Sequence, residues 1–175
     1  GTKALSLTVA NVYTGTTTIN AGLLSVNNTA GSGTGLGPVM VGPGGMLGGT
    51  GAIGGPVTVA DLGTLAPGSS VGTLTLNNSL ALAAGSLFEF ELDEAGASDM
   101  VSMPTSELIL NDQQFDDFTF IVLPGFDTGT YVLFDAGSIS GSLGANLAGL
   151  VGGLESTLAI SGNNLVLTVV PEPGM

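Results

Sequence analysis

The side chains in this chain with the greatest chemical potential are carboxylates. Glu89 and Glu91 are two positions apart, and Asp116 and Asp117 are adjacent. Two carboxyl groups facing across a cleft can hydrolyse a glycosidic bond, one as acid and the other as base or nucleophile. The rest of such a site is missing. The chain has no Trp to carry a sugar ring, and Lys3 is its single basic residue. In Phe88-Glu89-Phe90-Glu91-Leu92 the two glutamates fall on one face of a strand, which reads as a solvated acidic face. His and Cys are absent, so a nucleophilic triad has no base, and zinc would have only carboxylates to bind it. No catalytic residue is assigned.

Calcium is the one cofactor with suitable donors. Asp93, Glu94, Asp99, Asp112, Asp116 and Asp117 are oxygen ligands in expected loops. They follow neither EF-hand spacing nor a Gly-Gly-x-Gly-x-Asp repeat, so the expectation is no cofactor. The sequons Asn27-Asn28-Thr29 and Asn77-Asn78-Ser79 are attributed to the abundance of Asn and Thr.

The net charge is −13, from 14 acids against one base. That excludes nucleic acid, whose phosphates need Lys and Arg, and disfavours anionic membrane surfaces. No apolar run reaches the roughly 18 residues of a membrane helix. Without Cys there are no disulfides. Hydrophobic residues are 43% of the chain and charged residues 9%, a balance unlike disorder. The chain begins at Gly1, which reads as a processed or trimmed form.

The elements that position these residues are short and β-like. Residues 37–82 carry a repeat of about 18 residues, the length of one solenoid turn. Gly37-Pro38-Val39 registers on Gly55-Pro56-Val57, Val41 on Val59, and Leu47 on Leu65. A further step leads from Val57 to the region of Leu74 and Leu76. Asn-Gly and Asp-Gly hairpin dipeptides are absent, and Gly corners recur, so strands are expected to stack in parallel. Residues 4–9, 16–20 and 23–26 read as strands, and 27–37 as a glycine-rich bend. Of the 14 acids, 11 lie in residues 89–135, along with most of the aromatics. That part is expected to be wider and better packed. Residues 118–123 and 131–134 read as its strongest strands, and 139–153 as loop or one helical turn. Residues 158–160 and 165–170 read as a closing pair.

Two stretches carry a resemblance. Tyr13-Thr14-Gly15, Thr18-Ile19-Asn20-Ala21-Gly22, Gly48-Gly49-Thr50-Gly51, Ile53-Gly54-Gly55, Val57-Thr58-Val59, Leu65-Ala66-Pro67-Gly68 and Gly72-Thr73-Leu74 follow one another in order. Together they resemble the passenger-associated transport repeat of autotransporter-like surface proteins, over roughly residues 13–82. Residues 129–134 and 164–169 are similar to the closing part of such passengers. Val170-Pro171-Glu172-Pro173 resembles the PEP-CTERM sorting signal of bacterial envelope proteins, without the membrane helix and basic cluster that follow it in that family.

The resemblance implies an all-β, right-handed parallel β-helix with a wider C-terminal cap. It would form one domain over residues 1–170, with repeat coils in 1–87, acidic and aromatic coils and cap in 88–170, and a sorting remnant in 171–175. It implies secretion to the bacterial surface or extracellular matrix, with Pro171, Glu172 and Pro173 as the sorting motif. The expected function is a non-enzymatic structural protein that self-assembles into filaments. Leu5, Leu7 and Val9 at one end and Leu165, Leu167 and Val169 at the other are the expected assembly strands. The alternative is an adhesin or exopolysaccharide-binding module that uses Thr- and Asn-lined faces.

Overall fold

In a computed structural model, residues 3–94, 96–172 and 174 are described. The chain is all-β. The first strands are β1 (Ala4–Leu7), β2 (Thr17–Ile19), β3 (Gly22–Val26), β4 (Val39–Val41), β5 (Gly45–Gly49) and β6 (Ala52–Ile53). The middle ones are β7 (Val57–Val59), β8 (Thr64–Pro67), β9 (Thr73–Leu76), β10 (Leu80–Leu82), β11 (Leu87–Leu92) and β12 (Met100–Ile109). The last are β13 (Phe118–Val122), β14 (Gly129–Ser140), β15 (Ala148–Val151), β16 (Leu154–Ser161) and β17 (Asn164–Val169).

The chain alternates between two sheets. One runs β1-β3-β5-β8-β11-β13, and the other has the path β15-β16-β17-β14-β12-β10-β7-β4-β2, with β6 and β9 branching from it. Pairing is parallel from β1 to β14, an arrangement compatible with a β-helix.

Parallel register stacks like residues in columns. In one sheet Leu5 partners Leu24, Leu24 partners Leu47, and Leu47 partners Leu65. The column continues through Phe88 to Phe118. In the other sheet Val39 lies against Val57 and Val41 against Val59. These are the pairs that the repeat of residues 37–82 registers. Strands such as Val39–Val41 and Val57–Val59 bury their outer residues and expose the middle one, as period-2 alternation requires. The next step departs from the repeat. Val57 partners Leu80, while Leu74 lies against Val101. Both steps pass through two intervening strands, but the connection from β8 to β9 takes residues 68–72 where that from β5 to β6 takes only 50–51, so the step lengthens from 18 residues to 23.

The Gly-Pro-Val corners show why glycine recurs. A Cβ on Gly55 would meet the Gly37 carbonyl, and one on Gly37 the Gly15 carbonyl. At Gly37 and Gly55 the corner backbones stack too closely for any side chain. The prolines beside them start strands and still accept, since Thr17 N–H donates to Pro38 O and Val39 N–H to Pro56 O.

From β11 onward aromatic rings fill the core. Phe88 stacks on Phe118 at 4.5 Å between centroids and meets Phe134 edge-on at 5.8 Å. Buried Tyr131 ties two loops together, its hydroxyl lying 2.7 Å from Asp127 O and 3.0 Å from Asp93 O.

The far end closes with an antiparallel meander. β17 lies between β14 and β16, and β15 pairs with β16. Residues 158–160 and 165–170 are the closing pair as expected, but only 141–147 of residues 139–153 are loop, and the rest is strand and a tight turn. β14 runs on to Ser140, and β15 forms an edge strand. Its hairpin uses Gly152 and Gly153, both at positive φ, between paired Val151 and Leu154. Gly-Gly is a two-residue turn signal of the same kind as Asn-Gly. β12 had no strand expectation because Pro104 interrupts its pattern. The strand absorbs the proline in a register shift between Met103 and Glu107.

One column therefore runs from an uncovered end to a deep core. Leu47 is fully buried, whereas Leu5 is 61% exposed. Leu47→Ala should cost about 3 kcal/mol of stability, and Phe88→Ala about 3–5. Leu5→Ala, with little surface to lose, should cost under about 1. Urea midpoints on the three variants measure the gradient. Equal losses at Leu5 and Leu47 would contradict an uncovered first rung.

Candidate functional site

Three regions hold the residues of interest: an open groove, an acidic corner and the two ends. The groove has a volume of about 830 Å³ and lies between residues 27–36 and the rungs 50–54 and 75–77. Asn27 and Asn28 directly follow β3 and build the groove's wall. Asn27 donates to the Ser25 hydroxyl at 2.8 Å and the Ser6 hydroxyl at 3.2 Å, and accepts from Thr50 N–H at 3.1 Å. It thus links three successive rungs. Asn28, 5% exposed, donates to Ala30 O and Gly31 O and accepts from Ala52 N–H at 3.0 Å. Ser32 accepts from Gly54 N–H at 2.8 Å. The Asn27 amide is therefore a structural link between rungs. Asn77 of the second sequon is exposed. Sequence reading placed the glycine-rich bend of residues 27–37 correctly but missed the groove. The available signal was a pair of asparagines directly after an apolar strand.

The acidic corner centres on Asp99, 2% exposed. Its Oδ1 accepts from Gly72 N–H at 2.9 Å and its Oδ2 from Glu91 N–H at 2.8 Å. The carboxylate clamps the start of β9 to β11. Glu89 and Glu91 lie on the outer face of β11, as their alternation requires, while Phe88 and Phe90 are buried. Glu91 Oε2 is buried with no hydrogen-bond partner. Burial pushes the Asp99 carboxyl up to about 6 from its ordinary 3.8. Two N–H donors pull the other way, and repulsion from Glu91 and Glu89 adds to the rise. Burial likewise raises Asp117, against the Gln114 N–H that it accepts at 2.7 Å.

Of the other acids considered for calcium, Glu94 is exposed and three act as loop staples. Asp93 accepts from Gly125 N–H at 2.7 Å, Asp112 from the Ser142 hydroxyl at 2.9 Å, and Asp116 from the Asn146 amide at 3.1 Å. Among the described residues no group of three or more such ligands is placed to hold a metal ion.

The ends differ from each other. β1 and β2 are the outer strands at the N-terminal end. Leu5 and Leu7 lie on β1, but Val9 lies beyond it and is 66% exposed. At the other end Leu165, Leu167 and Val169 are buried, and β17 is hydrogen-bonded along both edges. This corrects their expected place as an open assembly strand. The chain turns back after β14 and buries its last strand inside the meander, leaving β15 and β13 as the outer strands there. Pro171 and Glu172 follow β17 and are exposed. Pro173 lies outside the described residues.

Two mostly parallel sheets with glycine corners define an all-β chain compatible with a β-helix. No family model matches the chain. A stretch of 69 residues, 39% of the chain, is 51% identical to the adhesin BmaC autotransporter of Brucella suis biovar 1 (strain 1330). The chain spans about 2% of that adhesin's length.

The raised Asp99 value gives stability a direction with pH. The folded chain holds this proton more tightly than the unfolded chain. The group's contribution is full below about pH 4 and is lost as pH rises through about 6. The loss is of order 2 kcal/mol. Melting temperature should therefore fall from pH 4.5 to pH 7.5, and Asp99→Asn should flatten that slope while lowering stability at acid pH. An unchanged slope in Asp99→Asn would assign the pH dependence to other carboxylates.

Proposed function

We propose that this chain is a non-enzymatic, surface-displayed module of a bacterial envelope or matrix protein, built as a right-handed parallel β-helix and acting as an adhesin segment. The observation that carries this reading is the likeness to an autotransporter adhesin, joined to a stack of parallel rungs with an external groove. The right-handed sense follows the general rule for parallel crossovers. Pro171 and Glu172, exposed just past the last strand, are accessible to a sorting enzyme that reads Pro171-Glu172-Pro173. Among the described residues no helix is long and apolar enough to cross a membrane.

Display of the chain on a non-adherent bacterium tests the reading. Adherence to extracellular matrix or to other cells should rise several-fold over a display control. No rise on any surface tried would overturn the adhesin role.

A structural, filament-forming role is the second reading, and the unpaired edges of β1 and β2 beside exposed Leu5 favour it. An open parallel edge templates another strand, and a charge on it blocks that pairing. Sedimentation should show concentration-dependent assembly that Leu5→Lys abolishes. A chain that stays monomeric at high concentration, with no fibres by electron microscopy, would sink this role.

A further inference from the structure

We propose that the groove beside Asn27 binds an uncharged, polyhydroxylated polymer: a neutral polysaccharide strand laid across the rungs. This inference rests on the adhesin reading and names the ligand class of one surface.

The lining contains no charged side chain. It is built from amides, hydroxyls and glycine backbone, which suit a ligand that both donates and accepts hydrogen bonds. The first acid in the chain is Asp61, so the wall of the groove from residues 27 to 54 carries no carboxylate to repel or attract a ligand. Over the whole chain the charge is −13. That field opposes a uronic acid polymer or a nucleic acid and leaves a neutral polymer unopposed.

The polar groups of the groove divide into two sets. Asn27, Asn28 and Ser32 are held by the hydrogen bonds described above, which set the shape of the wall. Exposed Thr29, half-buried Thr75 and exposed Asn77 have no side-chain hydrogen bond among the described residues. Thr75 lies on β9 beside Ala52 of β6, and Asn77 follows two positions on, so the two present polar groups on one face of a single rung. The groove crosses successive rungs, from residues 27–36 through 50–54 to 75–77, so an extended polymer contacts more of it than a single small molecule. Leu36, 67% exposed at the groove, supplies an apolar contact for the C–H face of a sugar ring.

The test is a polysaccharide array that holds neutral glucans, mannans and galactans beside uronic acid polymers. It is probed with the purified chain and with Thr75→Val and Asn77→Ala variants. Melting temperatures within a few degrees of the parent establish that the variants are folded. The expected result is binding to one or more neutral polymers, weakened at least fivefold in the double variant, with acidic polymers unbound. Binding that survives both substitutions, or that is confined to acidic polymers, overturns the groove assignment. Adherence of displaying cells without any glycan binding also overturns it, while leaving the adhesin reading intact. Loss of adherence as well would remove both.

Discussion

Everything in this chain depends on parallel rungs stacking in register at the spacing of one hydrogen bond. That spacing, about 4.8 Å, is smaller than the room a side chain needs at a sharp corner. Corner residues covered by a preceding rung must then be glycine, as Gly37 and Gly55 show. Interior residues must form columns of compatible size, as Leu24, Leu47 and Leu65 do. Exterior positions are left to Thr, Ser and Asn. The composition that looked unlike an enzyme is the composition that this stacking demands.

The stack has a direction. Aliphatic columns near β1 give way to Phe88, Phe90, Phe118 and Phe134 further along. The acids concentrate over the aromatic part, where several staple loops rather than gather as ligands. Asp99 is the extreme case, a buried carboxylate held by two backbone N–H groups with like charges nearby and no cation within the same half of the chain. Its cost is electrostatic, and it holds the turn that carries the chain from β8 to β9. The N-terminal half, with only Lys3 and Asp61 as charges, presents a groove lined by neutral polar groups.

The two ends obey different rules. At the first rung Leu5 has a partner on one side only, and it is exposed for that reason. At the last rung the chain reverses into an antiparallel meander. Reversal needs two-residue turns at positive φ, which Gly152-Gly153 and Gly162 provide. An antiparallel cap covers the core without presenting a copy of the parallel rung, so the molecule is not symmetric end to end.

Much of this was legible in the residues. Alternation along residues 87–92 and the pairing of Val39 with Val57 and of Leu47 with Leu65 need only local pattern and a short repeat, and both hold in the structure. The repeat failed beyond Val57, where a longer connection between β8 and β9 lengthened the step. Pro104 hid β12, and the meander hid behind a rule that looked only for Asn-Gly and Asp-Gly. Sequence determined which residues face inward, where the corners fall and which charges are excluded, because those are set by neighbours along the chain. Tertiary structure alone decided that Leu165, Leu167 and Val169 are interior, that Asp99 is clamped, and that Asn27 and Asn28 wall a groove. Those outcomes depend on which distant rung arrives beside a residue, and a hydrogen bond to a backbone 20 or more positions away leaves no mark on local pattern.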